Sequence, residues 1–241
     1  MATAARKTNW FAIWLSIAAV VVIVVVTGIV IVVNNKPSAP GAAPQSSVVD
    51  QTTGAIAFGD GEDTMDTYID FLCPICNQFE QIYGSAITGL VDDGTITLNV
   101  HPIAILDRYS QGTEYSSRAA SAMYAVAVED PSHAYDFMTA LFANQPEENS
   151  AGLTDAQIVE VAKKAGVNVT ASLEKAITGH AYVSFVQSLT PKTPLAPGAQ
   201  TIGTPTIAIN GETISLKDTL PADRPTSASS SPECGPFTRG T

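Results

Sequence analysis

The chain has 241 residues, with 23 acidic against 12 basic side chains and a formal net charge of −11. That length is enough for one sizeable core with an appendage. Such an acidic polypeptide has no electrostatic reason to bind nucleic acid or an anionic lipid surface.

The first feature is an uncharged run of 23 residues from Phe11 to Val33. As a helix it rises about 35 Å, enough to cross a hydrocarbon core of about 30 Å. A cleaved signal peptide is the competing reading, since Ala-rich pieces follow near Ala39 to Ala43, but its apolar region is only about 7–15 residues. Arg6 and Lys7 precede the run, Lys36 follows it, and Trp10 and Trp14 suit an interfacial end. The positive-inside rule then places residues 1–10 in the cytoplasm, 11–33 in the membrane and the remainder outside. All 23 acidic residues lie at Asp50 or beyond, against nine Lys and Arg after Lys36, so the outer part carries a net charge of −14.

Residues 34–54 are rich in Pro, Ala, Gly and Ser and read as a flexible linker. A globular domain is expected over 55–220. Thr64 to Phe71 alternates like a strand. From Pro74 the spacing becomes helical, with Ile75, Phe79, Ile82, Tyr83, Ala86, Ile87 and Leu90 on one face and Gly94 as a stop. Thr95 to His101 alternates again, completing a β-α-β unit. Helices are expected over Glu114 to Val128, Ser132 to Asn144, Thr154 to Ala165 and Thr170 to Leu189, with Thr154 and Thr170 as N-caps. Gly203 to Ile209 and Glu212 to Leu216 are strands joined by Asn210-Gly211, a strong hairpin signal. Residues 221–241 have no apolar periodicity and read as a disordered tail.

Cys73 and Cys76 sit where the first strand hands over to the helix, in the stretch FLCPICNQFE. A zinc site needs about four ligands, and only Cys234 and the scattered His101, His133 and His180 remain, so no metal is expected. As a staple the pair closes a four-residue loop and removes little chain entropy. A redox dithiol has a mechanism. Unpaired N–H groups and the macrodipole at a helix N-terminus favour a thiolate at Cys73, and Pro74 suits the first helical position. Cys73 is then the accessible nucleophile and Cys76 the more buried resolving partner.

The strand-C-P-I-C-helix unit, the helical stretch after it and the later G-T-P-T-I-A-I-N-G resemble the DsbA-like thioredoxin-fold thiol–disulfide oxidoreductases, in their membrane-anchored actinobacterial form. The resemblance covers Ala55 to Leu216. It implies an α/β thioredoxin fold with an inserted helical subdomain at about 103–200, preceded by one transmembrane helix. It implies that Pro205 is a cis-proline facing the dithiol, and that Thr204 before it offers backbone hydrogen bonds to a bound peptide, alongside Pro74 and Ile75. It implies no cofactor. Its partners would be exported proteins with reduced cysteines and a quinone-linked membrane reoxidant of the DsbB-like or VKOR-like kind. Two departures stand out: no histidine lies between the cysteines, and no closing helix is evident beyond Leu216 unless a short one lies at Leu216 to Leu220. A tethered reductase or isomerase of the cytochrome c maturation type, and a non-catalytic binding module, are the alternatives.

Further residues are weaker candidates. Asp66 and Asp70 share one side of the strand, and a buried carboxylate there is placed to accept the proton of Cys76, although solvation or backbone hydrogen bonding is the commoner fate. Glu80 is expected as a solvated helix residue, His101 as structural and Cys234 as a free tail thiol. Asn168-Val169-Thr170 fits a glycosylation acceptor.

Overall fold

The computed structural model describes residues 42–216. The membrane span expected at 11–33, the tail at 221–241 and Cys234 lie outside the described residues. Among the described residues, no helix is long and apolar enough to cross a membrane.

Five strands form one mixed sheet: β1 (Ile56–Phe58), β2 (Asp63–Ile69), β3 (Ile96–Pro102), β4 (Thr206–Ile209) and β5 (Glu212–Ile214), in the order β1-β3-β2-β4-β5. β2 and β3 are parallel, with Met65 opposite Leu98 and Ile69 opposite Pro102, and the helix α1 (Pro74–Asp92) is their crossover. Parallel neighbours need such a connection. In β3 the alternation read from sequence holds, and Ile96, Leu98 and Val100 point into the core. β4 runs antiparallel to β2, with Thr206 opposite Tyr68. Asn210 and Gly211 both have left-handed backbone, at φ 49° and 81°, as a tight two-residue hairpin turn requires.

α1 departs from the expected face. Its buried stripe is Cys76, Phe79, Gly84 and Ile87, whereas Ile82 and Leu90 are each 41% exposed. The stripe is turned because Cys76 is drawn into the core. β1 is a strand the sequence does not announce: three residues are too few to show alternation, and it forms by pairing antiparallel to β3.

Between β3 and β4 lie α2 (Tyr115–Glu129), α3 (Ala134–Ala143), α4 (Asp155–Lys164), α5 (Ala171–Thr178) and α6 (Val183–Leu189). α2 is the axis of this helical insertion, buried from Tyr115 to Ala127, with Ala and Ser at many positions where its neighbours approach. Thr154 and Gln157 form a reciprocal capping box on α4, and the Thr170 hydroxyl accepts the Leu173 N–H at the start of α5. The single helix expected over Thr170 to Leu189 is instead two. Gly179 caps α5, His180 takes a left-handed φ of 55°, and the Tyr182 N–H donates to the Ser121 hydroxyl of α2.

Residues 42–54, within the stretch read as linker, carry structure of their own. Val49 is buried and bridges to Ile56, the Ser46 hydroxyl donates to Ala127 O, and Asp50 accepts the Thr52 and Thr53 N–H groups. Gly54, at φ +76°, lies so close to Leu189 and the Tyr124 hydroxyl that a Cβ would collide with both.

Arg118 fastens the insertion internally. Its guanidinium donates to Thr113 O at 2.8 Å, Leu153 O at 2.9 Å and Asp155 at 2.7 Å. Arg118→Ala strands those carbonyls and is expected to lower the unfolding free energy by about 2–4 kcal/mol, read as a fall in the denaturant midpoint.

Candidate active site

β2 ends at Ile69, and the chain passes through Asp70, Phe71 and Leu72, each 0% exposed, before Cys73 opens α1. Cys73 is the N-cap residue. No side chain caps this helix and Pro74 occupies its first position. The N–H groups that a cap would have taken are therefore available to sulfur. Both cysteines are free thiols. The expected contrast in exposure is slight, at 4% for Cys73 and 1% for Cys76; the contrast lies in their acidity. The Cys76 side chain and the backbone N–H groups of Cys76 and Ile75 pull the Cys73 pKa down. Burial, and then the neighbouring Cys73 sulfur, push Cys76 well above the ordinary thiol value.

The loop before β4 supplies the opposite wall. The Thr204–Pro205 peptide bond is cis. The Cys73 thiol lies 3.5 Å from Thr204 O, and the Thr204 hydroxyl lies 3.0 Å from Cys76 Sγ and 3.2 Å from Tyr68 O. That hydroxyl has one hydrogen and two acceptors within reach, a thiolate at Cys76 being one of them. Pro74 and Ile75 line a cleft of about 480 Å³ together with Asn77, Gln81, Gln145 and Glu148.

The sequence profile described as thioredoxin matches residues 52–222. The chain belongs to the thioredoxin family. Among solved structures it is similar to the reduced form of the disulfide bond oxidoreductase DsbG from Mycobacterium tuberculosis, at 32% identity and a TM-score of 0.55, over 73% of this chain and 81% of that one. DsbA from the same organism, in its oxidised form, is 30% identical with a TM-score of 0.57, over 66% of this chain and 84% of that one. This thioredoxin-family chain is thus DsbA-like. Among curated proteins, the serine/threonine-protein kinase PknE of M. tuberculosis is 37% identical over 112 residues, and the match spans 20% of that protein's length.

Other candidates in this DsbA-like domain separate cleanly. Asp66 does not face the cysteines. It meets His101 Nε2 at 2.8 Å, and the His101 ring stacks on Tyr68 at 4.1 Å. His133 pairs with Asp130 and His180 with Asp155, and no cluster of metal-binding side chains occurs among the described residues. Thr170 of the glycosylation-like tripeptide serves as the α5 cap. Glu80 is not a solvated helix residue. It turns between α1 and α3, accepts the Tyr135 hydroxyl at 3.3 Å, and burial raises its pKa.

Gln145 and Asn77 were not legible as site residues. Gln145 follows α3 in an ordinary polar loop, Asn77 reads as one more polar helix position, and no local pattern points either toward Cys73.

Asp70 is fully buried, with one carboxyl oxygen accepting the Leu72 N–H and the other the Leu106 N–H, each at 2.9 Å. Both oxygens are thereby committed to the backbone. Burial nonetheless dominates and raises its pKa to about 6, and its negative charge opposes a thiolate at Cys73. A carboxyl whose pKa is raised on folding stabilises the fold below its unfolded value, and that contribution is lost as pH rises through the folded one. The stability of the wild type relative to Asp70→Asn is therefore expected to fall by about 2–3 kcal/mol between about pH 4 and about pH 7, measured from denaturant midpoints. A difference independent of pH removes the buried charge from the account.

Proposed function

We propose that the chain is a membrane-tethered, extracytoplasmic oxidase that introduces disulfides into exported proteins through the Cys73–Cys76 pair. The observation that carries this reading is the opposed acidity of two thiols one helical turn apart, one held by the N–H groups of α1 and the other buried against the Thr204 hydroxyl.

A substrate thiolate attacks Cys73 Sγ of the oxidised pair, the Cys73–Cys76 bond breaks, and its electrons leave on Cys76. The leaving thiolate is buried, so it needs a donor. The Thr204 hydrogen turns to it, and a proton then restores the Cys76 thiol. A second substrate thiolate attacks the substrate sulfur of the mixed disulfide and expels Cys73 as a thiolate. The substrate has lost two electrons and two protons, and the enzyme holds the reduced dithiol. Stabilising the Cys73 thiolate stabilises that reduced state, which makes the couple oxidising.

The remaining parts of the reading rest on the sequence. The apolar run Phe11–Val33 tethers the domain, with residues 1–10 cytoplasmic and the redox domain outside. A quinone-linked membrane partner of the DsbB-like or VKOR-like kind takes the electrons. Thr204 and Pro205, with Pro74 and Ile75, frame the peptide that reacts at Cys73.

Cys73→Ser is expected to abolish oxidation of a reduced peptide, and Cys76→Ser to accumulate the mixed disulfide, seen on non-reducing gels. A wild-type chain that does not oxidise the peptide leaves only the binding-module reading. The reduction potential fixes the direction: a value above about −180 mV supports the oxidase, whereas one near −270 mV makes the chain a reductase. Thr204→Val keeps the shape without the hydroxyl. It is expected to slow substrate oxidation about tenfold or more, since a hydrogen bond to a charged group is worth about 1.5–3 kcal/mol, with stopped-flow rates as the measurement.

A further inference from the structure

No side chain of α1 caps its first turn, because the N-cap is Cys73 itself and its side chain makes no capping hydrogen bond. The restraint comes from the helical insertion. Gln145 Nε2 donates to Phe71 O at 3.0 Å and to Cys73 O at 2.9 Å. A carboxamide nitrogen carries two hydrogens, so both are spent on the carbonyls that bracket the entry into the dithiol turn. Its oxygen is occupied as well, accepting Asn77 Nδ2 at 3.2 Å, and Asn77 Nδ2 also donates to Phe142 O at 3.1 Å. Gln81 Nε2 donates to Asn77 Oδ1 at 3.1 Å, and the Asn77 backbone N–H closes the first turn of α1 on Cys73 O at 3.2 Å. A ladder of side-chain amides thus joins the loop after α3 to the backbone carbonyls of Phe71 and Cys73.

We propose that Gln145 is a positioning residue, which fixes the Phe71–Cys73 backbone so that the Ile75 and Cys76 N–H groups stay directed at the Cys73 sulfur. The insertion thereby does more than enlarge the domain, because one of its loop residues sets how well α1 stabilises the thiolate. The physical reason is directional. A helix-terminal N–H favours a thiolate only while it points at the sulfur, and rotation about the Cys73 backbone turns the sulfur away. Asn77 is the support that keeps the Gln145 amide nitrogen, and not its oxygen, facing the carbonyls. This inference rests on the reading of Cys73 as the reactive thiol.

The test titrates the Cys73 thiolate in the full chain by absorbance at 240 nm and by the pH dependence of alkylation with iodoacetamide. Gln145→Met keeps the bulk of the side chain and removes both donors. Its titration midpoint is expected to rise by about one unit, which is roughly tenfold less thiolate and tenfold slower alkylation at a pH below both midpoints. Gln145→Glu, which sets acceptors against two carbonyls, is expected to rise at least as far. Asn77→Ala leaves the donors but frees their orientation, so it should shift the same way by less, and it serves if the Gln145 variants do not fold. A Gln145→Met protein that melts at lower temperature with an unchanged titration overturns the inference and leaves the amide a structural strut. A wild-type midpoint at or above about 8.5 overturns the proposed function instead, so the two failures are distinguishable.

Discussion

The rest of the structure depends on the start of one helix. α1 begins on a cysteine, with a proline behind it and no capping side chain, so the free N–H groups of its first turn meet sulfur where a hydroxyl or carboxylate would ordinarily sit. The second thiol, one turn deeper, lowers the pKa of Cys73 most, and the N–H groups of Cys76 and Ile75 add to it. A thiol buried this deeply gives up a proton only reluctantly, and the two sulfurs therefore differ in chemistry although both are nearly inaccessible.

Such an arrangement has to be braced on every side. β2 delivers the chain into the turn, and the Asp70 carboxylate holds the Leu72 and Leu106 amides. The loop before β4 brings Thr204 across the sulfurs, with its hydroxyl shared between Cys76 and Tyr68 O. From the third side, Gln145 holds the carbonyls that precede and form the helix cap. Asp70 works against the thiolate electrostatically while supporting the turn mechanically. The acidity of Cys73 is thus a balance, in which the Cys76 thiol and then the helix N–H groups favour the thiolate while burial and the Asp70 charge oppose it.

The helical insertion shows why some of this is readable in sequence and some is not. Thr154 and Thr170 cap their helices through contacts three residues away, and both are legible from residue type alone. The break at Gly179-His180 is not, because the twenty residues from Thr170 to Leu189 have a spacing compatible with one helix until Ser121 of α2 takes the Tyr182 amide. The buried face of α1 departs from its sequence periodicity for a related reason. Helical periodicity gives a stripe, but the pull of Cys76 into the core sets the angle at which the stripe faces the sheet.

The amino-acid sequence by itself determined the features that arise between near neighbours. These are the β-α-β unit, the dithiol at a helix N-terminus, the Asn-Gly hairpin, the helical character of the insertion and the acidic, apolar-led arrangement of the chain. Tertiary structure alone decided what surrounds the sulfurs. Thr204 lies 131 residues from Cys73, and Gln145 lies 72 residues away. Asp66 and Asp70 read as one side of a single strand, yet β2 ends at Ile69, and Asp66 pairs with a histidine while Asp70 is buried beside the active-site turn. The physical reason is range. Periodicity, capping and turn formation are governed by contacts a few residues apart, whereas the acidity of a thiol follows from desolvation and from donors that only the folded chain brings within a few ångströms.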